Sequence, residues 1–159
     1  MKLLSLDPAS RCTGYAVMDS EGNIIDAGKL TGTGEDYLCR VVAAIDSLVA
    51  VIDEHQPGAC VLEVPSGHVH GRFGSVRPRS QSVYGFAVGA FWQVAKRYCG
   101  RVHPVFVNEW TAGKPKPHRQ KEVIARCPQY DPVKDKGMDV SDAIALGWWW
   151  LRRKEPQND

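Results

Sequence analysis

Short apolar runs broken by turn signals come first, then apolar positions at helical spacing, and that change lays out the chain. Leu3, Leu4 and Leu6 lead to Asp7, and a second apolar run begins at Tyr15. Residues 2–7, 14–19 and 24–30 read as three short strands, with Ser20-Glu21-Gly22-Asn23 as the hairpin turn between the last two. Over residues 35–55 the apolar side chains Leu38, Val41, Val42, Ile45, Leu48, Val49 and Ile52 predict one helix. Pro57-Gly58 stops it, and Ala59 to Val64 reads as a short buried strand. A second helix is predicted over 80–99, with Val83, Phe86, Ala87, Ala90, Phe91 and Val94 on one side. Arg101 to Val107 reads as a fifth strand, followed by a Gly/Pro/Lys loop and a short helix near 119–126. A last helix runs from about Asp139 to Arg153. This order predicts an α/β fold: a five-stranded mixed sheet with an antiparallel three-strand start, flanked by helices. Residues 1–153 are expected to form a single domain and 154–159 a flexible tail.

Composition adds little until it is divided along the chain. The 159 residues are 43% hydrophobic and 24% charged, ordinary for a soluble globular protein. No apolar run approaches the roughly 18–20 residues that span a bilayer, and Met1-Lys2 leads straight into a strand, so a cytoplasmic protein is expected. The five cysteines, at 12, 39, 60, 99 and 127, lack zinc-site spacing, and their odd number argues for isolated reduced thiols. The net charge of +2 is unremarkable, but its distribution is not. Arg72, Arg77 and Arg79 stand in a stretch without acids, and Lys114, Lys116, Arg119, Lys121 and Arg126 face only Glu122 over 114–126. Two basic segments of this kind suit a phosphate-binding surface.

Four acids carry the candidate chemistry. Asp7 and Glu63 are placed at carboxyl ends of strands, where open α/β sheets keep their sites. Asp139 and Asp142 are three apart, so a helix presents both on one face. Four crowded carboxylates repel, and two divalent cations would remove that repulsion; hard oxygen donors favour Mg²⁺ or Mn²⁺. Such a centre suits in-line attack on phosphorus, one ion activating water and the other stabilising the departing 3′ oxygen. Taken singly, each acid has a plainer reading: Asp7 as a turn residue before Pro8, Glu63 as a strand end, Asp139 or Asp142 as a helix cap. No organic cofactor is called for.

The segments Leu4-Ser5-Leu6-Asp7-Pro8-Ala9-Ser10-Arg11-Cys12-Thr13-Gly14-Tyr15 and Asp139-Val140-Ser141-Asp142-Ala143-Ile144-Ala145-Leu146 resemble the opening and closing motifs of the RuvC-type Holliday-junction resolvases. These belong to the ribonuclease H-like superfamily. The resemblance covers nearly the whole chain and implies a ribonuclease H-like fold, with Asp7, Glu63, Asp139 and Asp142 as metal-binding and catalytic acids. It implies a homodimer that binds four-way DNA junctions and cuts them by paired symmetric nicks. It also implies two basic residues, one after the fifth strand and one entering the next helix. Lys121 matches the second, as a catalytic residue contacting phosphate near the cut; Lys114 and Lys116 cover the first, Lys114 also as a phosphate contact. Arg72, Phe73, Arg77, Arg79 and Arg119 complete the expected DNA-binding set, Phe73 either as an aromatic wedge in the junction or folded onto the core.

There are departures from that pattern. Pro8-Ala9 replaces Pro-Gly, so Ala9 must avoid positive φ. Asn108-Glu109-Trp110 stands where a basic residue is usual, and a glycine-rich loop follows Glu63. His68 and His70 on that loop suit phosphate contact better than metal binding. Trp148-Trp149-Trp150 point three ways around the last helix, so one is expected to be exposed, with core or dimer packing as the role. The compact chain mildly favours a phage-type member acting in an infected host cell over a bacterial one. Competing functions are a broader flap or fork nuclease, an actin-like ATPase or sugar kinase, and a non-catalytic junction-binding protein. The ATPase reading lacks its second Asp-Gly-Gly motif, and uncompensated acids count against the binding-only reading.

Overall fold

The computed structural model describes residues 1–65 and 78–153, with the side chains of 78–81 left aside. Ten elements follow in order: β1 Leu3–Asp7, β2 Thr13–Met18, β3 Ile24–Leu30, α1 Tyr37–His55, β4 Ala59–Val64, α2 Pro78–Tyr98, β5 Arg101–Phe106, α3 Val107–Thr111, α4 Lys116–Arg126 and α5 Asp139–Arg152. The five strands form one sheet in the order β3-β2-β1-β4-β5. β1, β2 and β3 pair antiparallel, whereas β4 joins β1 and β5 joins β4 in parallel. This is the expected α/β arrangement, a five-stranded mixed sheet with an antiparallel three-strand start.

Strand side chains alternate between faces, and the two faces have different partners. Leu4 and Leu6 of β1 and Cys60 and Leu62 of β4 pack with α1 and α2. Leu3 of β1 and Ala59 and Val61 of β4 pack instead with α4 and α5. Asp7 and Glu63 continue the second series. Leu6 lies opposite Leu62 in the parallel pair, so the next residue of each strand carries its carboxylate onto the α5 face, side by side.

Helix α5 reaches that place because two glycines let it lie close on the sheet. Gly14 is the cross-strand partner of Asp7, and a Cβ on it would overlap the Asp139 carbonyl oxygen. Further along, a Cβ on Gly147 would overlap the Met18 side chain and come within 3.2 Å of the Ser5 Cβ. Contact at Gly14 sets the amino end of α5 beside the end of β1. The turn between β1 and β2 is closed by Thr13, whose Oγ1 donates to the Ala9 carbonyl and accepts from the Ala9 N–H, both at 3.1 Å. Among the described residues, positive φ at non-glycine positions is confined to Gln56, Ala112 and Met138, so Ala9 meets its expected restriction.

Several boundaries depart from expectation. α4 begins at Lys116 rather than near 119, because Pro117 sits in the first turn, where an N–H has no helical partner to lose. A short helix, α3, follows β5 where the sequence suggested loop. On α1, Leu38 and Val42 are 41% and 56% exposed, and Ala44 takes a buried place instead. Trp148 is buried, and its indole N–H donates to the Gly22 carbonyl at 2.8 Å. Trp149 and Trp150 are half-buried beneath the Arg153 guanidinium, so none of the three is fully exposed. The tail 154–159 lies outside the described residues.

Candidate active site

Four acids from three elements meet on the α5 face of the sheet. Asp7 ends β1, Glu63 lies next to last in β4, and Asp139 and Asp142 occupy the first turn of α5. The Lys116 ammonium stands among three of them, 2.9 Å from Asp142 Oδ2 and 3.8 Å from both Asp7 Oδ2 and Asp139 Oδ1. Glu63 is held from the other side. The Trp110 indole N–H donates to its Oε2 at 2.7 Å, and the Tyr84 hydroxyl to its Oε1 at 3.3 Å. Arg119 clamps Asp142 with two parallel bonds, Nε to Oδ1 and Nη2 to Oδ2, each 2.8 Å. Among the described residues no three carboxylates converge closely enough to cage one ion as they stand. They are spread around the ammonium instead.

The electrostatics follow from burial and crowding. Removal from water raises the Asp7 carboxyl well above its ordinary value, and Glu63, Asp142 and Asp139 push it the same way against Lys116. Burial also raises Glu63, with Asp142 adding to it, while the Trp110 and Tyr84 bonds partly offset both. Burial disfavours the charge on Lys116, but Asp7, Asp142 and Asp139 outweigh it and raise its pKa, so the ammonium is fixed as a cation. Nearby, burial and then Asp139 push the Cys12 thiol up to about 11. Four acids, of which Asp7 and Glu63 resist ionisation, share only the Lys116 and Arg119 cations, so the site calls for more positive charge than it holds.

The amino end of α5 has its own anchor. Asp135, 2% exposed, accepts from the backbone N–H groups of Asp139, Val140 and Ser141 at 3.1, 3.3 and 2.9 Å. It also pairs with Lys29 at 3.2 Å and accepts from the Tyr130 hydroxyl at 2.8 Å. The capping role expected of Asp139 or Asp142 therefore belongs to Asp135, which leaves both α5 acids facing the site.

The basic residues divide differently from expectation. Lys121 is exposed, and among the described residues no ion pair joins it to the four acids; Lys116, at the start of α4, holds that place. Five residues separate the two, which turns Lys121 to another side of the helix. Arg119 was expected to face DNA but is 7% exposed and bound to Asp142. Lys114 is on the surface, paired with Glu122 at 2.9 Å. Arg72, Phe73 and Arg77, with His68 and His70, lie outside the described residues, as does the side chain of Arg79. Trp110, Tyr84 and Asp135 were not anticipated. Only the odd placement of Trp110 in a segment expected to be basic could have drawn attention to one of them.

No family model matches the chain. The crossover junction endodeoxyribonuclease RuvC of Janthinobacterium sp. (strain Marseille) is 26% identical over 160 residues, 92% of this chain and 81% of that protein. The RuvC of Geotalea uraniireducens (strain Rf4) is 36% identical over 67 residues, 40% of this chain, and the match spans only 39% of that protein. Among solved structures, T. thermophilus RuvC in complex with a Holliday junction substrate superposes with a TM-score of 0.67 over 96% of this chain and 95% of that one, at 15% identity. This chain is similar to RuvC in sequence and in fold. The likeness covers 92% of this chain in sequence and 96% in fold.

Proposed function

We propose that this chain is a metal-dependent endonuclease that resolves four-way DNA junctions by paired symmetric nicks. The observation that carries the reading is the meeting of Asp7, Asp139 and Asp142 around Lys116, with Glu63 beside them, in a RuvC-like fold. The donor set fits a hard divalent cation, since all four groups offer carboxylate oxygen and the two cations present, Lys116 and Arg119, do not balance them. Asp7, Glu63, Asp139 and Asp142 would hold two Mg²⁺ or Mn²⁺ ions. Bound there, the ions supply activation of the attacking water and stabilisation of the departing 3′ oxygen.

The chain's own residues do the rest. Lys116 is half exposed and tethered by a flexible stem, so once the acids have other cations it is free to swing onto the scissile phosphate. Trp110 and Tyr84 orient Glu63, and the Asp135 cap fixes the direction of both α5 acids. Hydrolysis breaks the bond between phosphorus and the 3′ oxygen and leaves a 5′ phosphate. Lys114, Lys121 and the basic segment holding Arg72, Phe73, Arg77 and Arg79 form the proposed DNA-facing set, and a nuclease of this kind would act in the cytoplasm, beside its DNA.

A two-fold junction needs two equivalent sites, which a C2 homodimer supplies. α2 offers a surface for it. Phe86 is 39% exposed, and Gly85 and Gly89 on the same side have open space where a Cβ would point. With the neighbouring Leu38 and Val42 of α1, this face suits a second copy of the chain.

The test is cleavage of a synthetic mobile four-way junction with Mg²⁺ or Mn²⁺, with EDTA, and with Asp7→Asn protein. Symmetric, religatable nicks that vanish with EDTA and with the substitution are expected. Equal cutting of flaps and forks would make the protein a broader branched-DNA nuclease. Tight junction binding without cutting would overturn the catalytic reading.

A further inference from the structure

Glu63 and Asp142 belong to opposite walls of the site, β4 and α5, and no hydrogen bond joins them directly. A chain of side chains does. The Trp110 N–H binds Glu63 at 2.7 Å, the Arg119 guanidinium lies over the Trp110 ring 4.8 Å from its centroid, and the same guanidinium clamps both oxygens of Asp142. Its remaining Nη1 donates to the Lys114 carbonyl, which ties the group to the loop before α4. All three nitrogens and one face of the guanidinium are thus engaged, and the residue is buried. Lys116, one turn earlier on the same helix, touches the same Asp142 but is half exposed and movable. The two cations differ in kind: one can leave the acids, the other cannot.

We infer that Arg119, acting with Trp110, is a positioning unit that sets the separation of Glu63 and Asp142 and thereby the site's affinity for divalent cations. The inference rests on the metal-centre reading above. A fixed positive charge beside Asp142 taken alone would weaken cation binding, because it neutralises a ligand. A fixed geometry strengthens binding, because two carboxylates on separate elements need not be ordered when the ion arrives. Two parallel bonds at 2.8 Å, a ring stack and a backbone anchor make the geometric effect the larger one. Partners of this kind typically change metal affinity by about 10–100-fold when removed.

Calorimetric titration with Mn²⁺, in the absence of DNA, tests this in the full-length protein. Arg119→Ala is expected to weaken Mn²⁺ binding about 10–100-fold. Arg119→Lys restores charge without the two-pronged fork, and its affinity should stay nearer that of the alanine protein. Trp110→Phe keeps a ring under the guanidinium but loses the N–H to Glu63, and a several-fold weakening is expected. Junction binding in EDTA by Arg119→Lys and Trp110→Phe should match the wild type, which a general unfolding would not allow. If Arg119→Ala does not fold, those two variants carry the test. Mn²⁺ affinity equal to or tighter than wild type in the variants, or full restoration by lysine, would overturn the inference. A wild-type protein that takes up no Mn²⁺ would overturn the metal-centre reading itself, and this inference with it.

Discussion

Asp135→Ala should be among the costliest single changes outside the four acids, although the residue lies in a loop. Its carboxylate accepts from three backbone N–H groups at the start of α5, and losing such a cap costs about 1–2 kcal/mol. Lys29 and the Tyr130 hydroxyl lose their partner in a buried setting, which adds about 1–2 kcal/mol. The total, about 3 kcal/mol, corresponds to a fall in Tm of about 6–12 °C for a domain of this size. Urea and thermal unfolding of wild type, Asp135→Ala and Asp135→Asn measure it, the asparagine keeping an acceptor oxygen but not the charge. Acidity gives a second signature. Burial alone would raise the Asp135 carboxyl, but the N–H of Ser141, the Tyr130 hydroxyl, the N–H of Val140 and Lys29 together lower it. A lowered folded-state value means the contribution is complete above the unfolded value, about 3.9, and is lost as pH falls through the folded value below it. The gap between wild type and Asp135→Asn should therefore be widest near neutrality and close in acid. An Asp135→Ala protein within 0.5 kcal/mol of wild type, or a gap that stays constant from pH 7 to pH 3, would refute the reasoning.

Other consequences are equally direct. Asp7 and Glu63 have raised folded-state values, first from burial, so the metal-free protein should lose stability as pH climbs from the unfolded values, about 3.9 and 4.3, through those higher ones. Melting in EDTA and in Mg²⁺ across pH 4–8 should show the ion's stabilisation growing with pH; a constant increment would count against it. Lys116→Met should lower the cleavage rate about 10²–10⁴-fold, whereas Lys121→Met should stay within a few-fold of wild type, and equal losses would sink the assignment. Gly14→Ala forces a Cβ against the Asp139 carbonyl, backbone on backbone, and should cost about 1–3 kcal/mol together with most of the activity; an unchanged Tm and rate would show that α5 can retreat.

The sheet and the four acids were legible because local pattern and chain order carry them. Alternation in β1 and β4 places Asp7 and Glu63 on one face, and a spacing of three places both α5 acids on one turn. What holds those acids was not legible, since it depends on pairs distant in sequence. Trp110 meets Glu63 across 47 positions and Arg119 meets Asp142 across 23, and neither pair leaves a periodic trace. That Lys116 is the lysine standing among the acids was hidden for a nearer reason. Lys-Pro-Lys-Pro reads as loop, but Pro117 is compatible with a first helical turn, and that shift by a turn changes which lysine faces the acids. Asp135 was hidden similarly, being a cap four residues ahead of its helix.

Gly14 has no side chain and takes part in no chemical step, yet the approach of α5 to the sheet depends on its having none. In an exhaustive substitution scan it would score as intolerant as Asp7, its cross-strand partner, and by activity alone the two would be indistinguishable. They would separate under a second selection for folded abundance: Asp7→Asn protein should accumulate normally, while Gly14 variants should be depleted. A map of essential positions in this chain therefore records two kinds of necessity, one of charge and one of empty space.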